Sequence, residues 1–104
     1  MRMLLKVQMS TERGNQLVKQ GKLGATIQSI LAEIKPEAAY FIAEGGDRTG
    51  LIIVDLAQPA DIPRIAEPFF LALDAKLEIK PAMVSDDLAK AEPGFAAAVA
   101  KYGH

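Results

Sequence analysis

Residues Glu37 to Leu56 read EAAYFIAEGGDRTGLIIVDL. Two runs of apolar, β-branched and aromatic residues flank Gly45-Gly46-Asp47-Arg48. That is the pattern of a β-hairpin whose glycines supply the positive φ of a tight turn. The runs are unusual in being apolar on both sides. In the second, Leu51 and Ile53 point one way and Ile52, Val54 and Leu56 the other. A surface hairpin in a small domain alternates apolar with polar residues. This one predicts a sheet that needs a cover on each face.

Before the hairpin, Met3, Leu5, Val7 and Met9 alternate with Leu4, Lys6 and Gln8, which predicts a first strand. Ser10 and Thr11 then offer N-cap oxygens, and Glu12 sits in a first turn where the helix dipole favours a carboxylate. A helix is predicted from Glu12 to Ile34. Its first half is weakened or interrupted, because Gly14, Gly21 and Gly24 each cost about 1 kcal/mol relative to alanine. Leu23, Ile27, Ile30, Leu31 and Ile34 fall at helical spacing and predict one buried stripe. Lys35-Pro36 ends the helix, since a residue before proline is driven from the α region.

After the hairpin, Gln58 to Asp61 predicts a turn and an N-cap, with Pro63 in the first turn of a second helix. Ile62, Ile65, Ala66, Phe69, Phe70 and Leu73 carry its apolar face, and Pro68 predicts a kink or an early end. Lys76 to Val84 predicts a last strand, placed at an edge because Pro81 cannot donate to a ladder. Ser85-Asp86-Asp87 opens a short helix that Pro93-Gly94 interrupts. The alanine-rich run to Tyr102 then holds Phe95, Val99 and Tyr102 on one side, a stripe with something to dock against.

Strand, helix, strand, strand, helix, strand is the α+β ferredoxin-like order, βαββαβ: a four-stranded antiparallel sheet with both main helices on one face. The prediction is a single domain over residues 1–104, with a core at 1–84 and a helical tail at 85–104. The helices cover one face of the hairpin. The other carries Leu4, Tyr40, Ile42, Leu51 and Ile53, an exposed patch of the kind that marks an interaction surface. A second copy meeting it face to face gives a dimeric α+β barrel, the favoured cover. The rival is the C-terminal helix folding over its own sheet.

Composition narrows the partners. Of 104 residues half are hydrophobic, and 12 basic against 13 acidic side chains leave a formal charge of −1. There is no basic footprint for nucleic acid or for an anionic membrane. Cysteine is absent, which removes thiol nucleophiles, disulfides and thiolate metal sites. Lys6 and Gln8 interrupt the first apolar run before a signal-peptide core forms, and no stretch approaches the ~20 apolar residues of a membrane span. A cytoplasmic homodimer is the expectation.

Lys35-Pro36-Glu37-Ala38-Ala39-Tyr40-Phe41, Arg48-Thr49-Gly50, the run Ile65 to Ala72 and Asp86-Asp87-Leu88 resemble a family of small uncharacterised bacterial proteins over nearly the whole chain. More remotely, Val7-Gln8-Met9 and the region Pro68 to Pro81 are similar to muconolactone isomerases of the dimeric α+β barrel superfamily. The first resemblance brings no activity with it. The second implies the barrel fold and a slight leaning towards an enzyme, and no catalytic residue of those isomerases is matched.

The residues themselves supply little catalytic chemistry. The single histidine is His104, at a solvated terminus, so a haem-type or histidine–metal site has little to stand on. Ser10 and Ser85 read as caps and Ser29 as an outer helix face, with no histidine base beside them. Neither Gly45-Gly46-Asp47-Arg48 nor Gly21 to Thr26 has the context of a phosphate loop, although a broken helix at the latter leaves N–H groups for an anion. With an even-length hairpin loop, Tyr40, Ile42 and Glu44 share a face with Leu51, Ile53 and Asp55. Leu4, Lys6 and Gln8 join them there, as do Glu78 and Lys80.

Two readings of that face are open. In the first it belongs to a ligand-binding or interaction module with an apolar cavity for a small apolar or acidic ligand. Gln8, Glu44, Glu78 and Lys80 are then binding candidates. In the second, Lys6 meets Asp55 across the two central strands. Asp55, Lys6 and Tyr40 become catalytic candidates for a cofactor- and metal-independent isomerase or lyase that moves a proton on a small organic acid or lactone. The bland account of the same residues is a structural ion pair.

Overall fold

The computed structural model describes all 104 residues. Four strands, β1 (Arg2–Gln8), β2 (Ala38–Glu44), β3 (Asp47–Asp55) and β4 (Lys76–Pro81), form one antiparallel sheet in the order β2-β3-β1-β4. Five helices accompany it: α1 (Thr11–Lys19), α2 (Leu23–Ile34), α3 (Ile62–Leu73), α4 (Ser85–Lys90) and α5 (Glu92–Tyr102). The architecture is α+β and consistent with a ferredoxin-like fold. None of the helices is long and apolar enough to cross a membrane.

The hairpin turn is tighter than its sequence suggests. Gly45 (φ 59°) and Gly46 (φ 83°) alone make it. Asp47 and Arg48 already stand in β3, opposite Glu44 and Ala43. Two successive positive φ values are what a two-residue hairpin turn demands, and glycine meets them without steric cost.

Register then sorts the side chains. Leu5 opposes Ile52 and Met3 opposes Val54, on the face that α1 to α3 cover. Leu17, Ile30, Ile34, Ile65, Phe69 and Leu73 close on them to form the core. Ser10 caps α1 as expected, its Oγ accepting the Arg13 N–H at 3.1 Å. The predicted long first helix is two helices, separated at Gln20–Lys22 where Gly21 turns left-handed (φ 68°). The stripe of α2 is buried only at Ile30 and Ile34, while Leu23, Ile27 and Leu31 are half-buried.

Of the two outcomes expected at Pro68, the early end does not occur, since α3 runs through it, and Ile62 and Phe70, assigned to its apolar face, are exposed. β4 stops at Pro81 and pairs only with β1, so it is the edge strand that proline implied.

The C-terminal helices do not fold over the sheet. No residue of α4 or α5 is buried, and Phe95, Val99 and Tyr102 all face solvent. The chain measures 59 Å along its longest axis, and its radius of gyration is 17.5 Å, against about 13 Å for a compact chain of this length. The tail is an arm.

Candidate functional site

Two surfaces of the sheet carry candidate chemistry, and register places each residue on one of them. The open face shows Leu4 beside Ile53, Lys6 beside Leu51 and Tyr40 beside Leu51 from the other side. Glu78 and Lys80 flank the same face from β4. All the predicted site residues share it, as alternation required.

Their partners differ from the expected ones. Asp55 opposes Arg2, not Lys6; the two rows are four residues apart, about 13 Å at ~3.3 Å per residue. Lys6 instead pairs with Glu44, reaching across β3 to β2. Asp55 pairs with the Met1 amino group at 2.9 Å, and that hydrogen bond and charge hold its carboxyl below the ordinary range. A carboxyl so held stays ionised and is a weaker base than a free one. Its side chain is 85% exposed, which removes the burial that the proton-transfer reading needed.

The remaining candidates fall into two groups. Gln8 donates to the Glu44 carbonyl at 3.2 Å and to Asp47 at 3.4 Å, so Lys6, Gln8 and Glu44 form one polar cluster by the hairpin turn. Glu78 and Lys80 pair with each other at 3.2 Å on β4. Tyr40 is 64% exposed. At the far end Arg2 grips Glu37 in a two-pronged bond at 2.7 and 2.8 Å. Two ion pairs thus span β3 and bracket the apolar strip Leu4, Tyr40, Leu51 and Ile53. An apolar centre within a polar rim is how protein interfaces are built.

The helix-covered face holds a pocket of about 220 Å³. Its floor is Val7 of β1 with Gly50 and Ile52 of β3; Leu23 and Ile27 of α2 and Phe69 and Leu73 of α3 form the walls. Phe41 and Ile42, both largely exposed, stand at the β2 rim. The cause is local. Gly50 opposes Phe41 in the sheet and has no side chain to fill the space, so Leu23 and Ile27 rest over a gap. A Cβ at position 50 would meet Phe41 at 3.4 Å and Ile52 at 3.6 Å, ordinary van der Waals contact, so the position has room for a methyl group.

The only charged side chain in this lining is Arg48. Its alternation with Gly50 and Ile52 puts it on the helix side of β3, and its Nη2 donates to Asn15 Oδ1 of α1 at 3.1 Å. Gly14, buried in α1, makes room for it: a Cβ there would lie 2.5 Å from Arg48 Nη1. Sequence reasoning assigned Arg48 to the turn and so passed over it. No three histidine, cysteine, aspartate or glutamate side chains gather as metal ligands. Compared with family models, curated proteins and solved structures, the chain finds no match in any of the three.

Proposed function

We propose that this protein is a cytoplasmic homodimeric binding module, each subunit holding a small apolar ligand in the pocket between sheet and helices. The observation that carries the reading is the pocket itself. Nine of its twelve lining residues are hydrophobic, and its 220 Å³ falls below the ~300–1,000 Å³ typical of drug-sized ligand sites. An apolar pocket of that size offers an apolar body a place to leave water at about 25 cal/mol per Å² of surface buried.

The dimer rests on two unpartnered apolar surfaces of one chain, the bracketed strip of the open face and the Phe95–Val99–Tyr102 stripe of the arm. A second copy facing the first, as a dimeric α+β barrel with the arms reaching across, covers both. The alternative, an isomerase or lyase acting through Asp55, Lys6 and Tyr40, has no comparable observation behind it, since Asp55 and Lys6 are held by other partners.

An uncharged probe tests the binding reading. Titration with indole should show saturable binding and a raised melting temperature; a ligand at a hundred times its Kd adds about 2.7 kcal/mol. No binding, with the melting temperature unchanged, would discard the pocket as a ligand site. Light scattering at micromolar concentration tests the dimer, and a monomeric mass would end it.

A further inference from the structure

We propose that the ligand is a small monocarboxylic acid with an apolar body, its carboxylate held by Arg48 and its body lying over Gly50 and against Ile27. This rests on the pocket being a ligand site.

Charge balance is the first argument. Arg2 is matched by Glu37, and Arg13 by Asp74 and the Ala72 carbonyl. Arg48 enters none of the molecule's ion pairs, although it is half-buried beside an apolar lining. A guanidinium has five N–H donors, and the Asn15 bond uses one. Arg48 lines the apolar pocket, where donors without a partner favour an anion, and the planar fork matches a carboxylate in two parallel bonds.

Placement is the second. The guanidinium is not loose on the surface: it packs against Gly14, where only a hydrogen gives it room, and Asn15 fixes its rotation. A cation positioned in advance loses little freedom when its anion arrives. The rest of the lining offers an apolar tail little but carbon. One charged end and one apolar body is therefore the ligand shape that this lining complements.

Calorimetric titration of the intact protein at pH 7 with octanoate, octanamide and acetate tests the assignment. Octanoate should bind at least tenfold more tightly than octanamide, as a charge-assisted bond in place of a neutral one implies. Acetate, lacking the body, should not bind measurably, since each buried methylene multiplies affinity about fourfold. Arg48→Met should bring octanoate and octanamide within twofold of each other. Gly50→Val should weaken both, with Gly50→Ala doing so to a lesser degree if the valine variant does not fold.

Equal affinity of octanoate and octanamide for the unaltered protein would overturn the carboxylate anchor and leave the pocket reading standing. That comparison needs no variant. Undiminished octanoate binding in the Gly50 variants would place the acid elsewhere and overturn the proposal. Binding of neither probe, together with failure of indole, would remove the pocket as a ligand site and this assignment with it.

Discussion

Lys6 and Glu44 form an ion pair between two strands that are not neighbours, spanning β3 from β1 to β2. The hydrogen bond to Glu44 raises the Lys6 pKa, so its stabilising contribution is present at neutral pH and is lost as pH climbs through that raised value. Both side chains are partly exposed, so solvent screens the pair and its contribution is small. Lys6→Met should therefore cost little in urea denaturation at pH 7 and nothing at strongly alkaline pH, where the lysine is neutral in either state.

The acid side has its own marker in Arg2 and Glu37. The hydrogen bond from Arg2 holds the Glu37 carboxyl below its ordinary value. A carboxylate lowered on folding stabilises at pH above its unfolded value, and that stabilisation disappears as pH falls through the folded one. Melting curves from pH 6 to pH 2 should fall more steeply for the unaltered protein than for Glu37→Gln. Parallel curves would show that this pair contributes nothing.

On the open face, Tyr40→Glu puts a charge on a residue that the isolated subunit leaves largely in water. Substitutions at such positions change subunit stability by about 0.5 kcal/mol or less. The circular dichroism spectrum should be unchanged and the dimer lost, as read by sedimentation. A variant that stays dimeric would place the interface elsewhere.

Beneath the helices, Gly14→Ala should give different results in two backgrounds. Alanine gains about 1 kcal/mol of helix propensity, but its Cβ displaces the Arg48 guanidinium. With Arg48 present the two effects oppose each other and octanoate affinity falls. With Arg48→Met the 2.5 Å contact with the guanidinium is gone and a flexible thioether takes its place, so Gly14→Ala should stabilise by roughly 0.5–1 kcal/mol. A double-mutant cycle by thermal denaturation reads the coupling, and additivity would show that position 14 does not sense Arg48.

Gly50→Ala should stabilise the unliganded protein, because its φ lies outside the left-handed region and the new methyl meets Phe41 and Ile52 at contact distance. A gain of about 0.5–1 kcal/mol corresponds to a few degrees in Tm for a domain of this size. The same methyl takes volume from the pocket, so Tm should rise while ligand affinity falls.

These residues also show what was legible beforehand. Alternation along the hairpin decided which face each side chain occupies, and an even turn of Gly45-Gly46 kept the assignments of Tyr40, Leu51, Ile53 and Asp55 intact. Alternation decides the face but not the row. Lys6 and Asp55 were therefore placed on the right side and wrongly beside each other, because the offset between β1 and β3 comes from packing that no local pattern encodes. Arg48 was missed for a related reason: Gly-Gly-Asp-Arg reads as four turn residues when two suffice. The arm's stripe was visible as a periodicity, while its lack of a partner within the subunit is a property of the assembled chain.

That lack reaches into the arm's own backbone. α5 has eleven residues, a length at which an isolated helix is marginal in water even with many alanines. With nothing buried beneath it, its coil-to-helix equilibrium has only local terms to draw on unless another chain supplies contacts. Helix content should therefore depend on protein concentration: dilution below the dissociation constant should melt the last turns while the sheet signal holds. Secondary structure in this segment would then report on quaternary state.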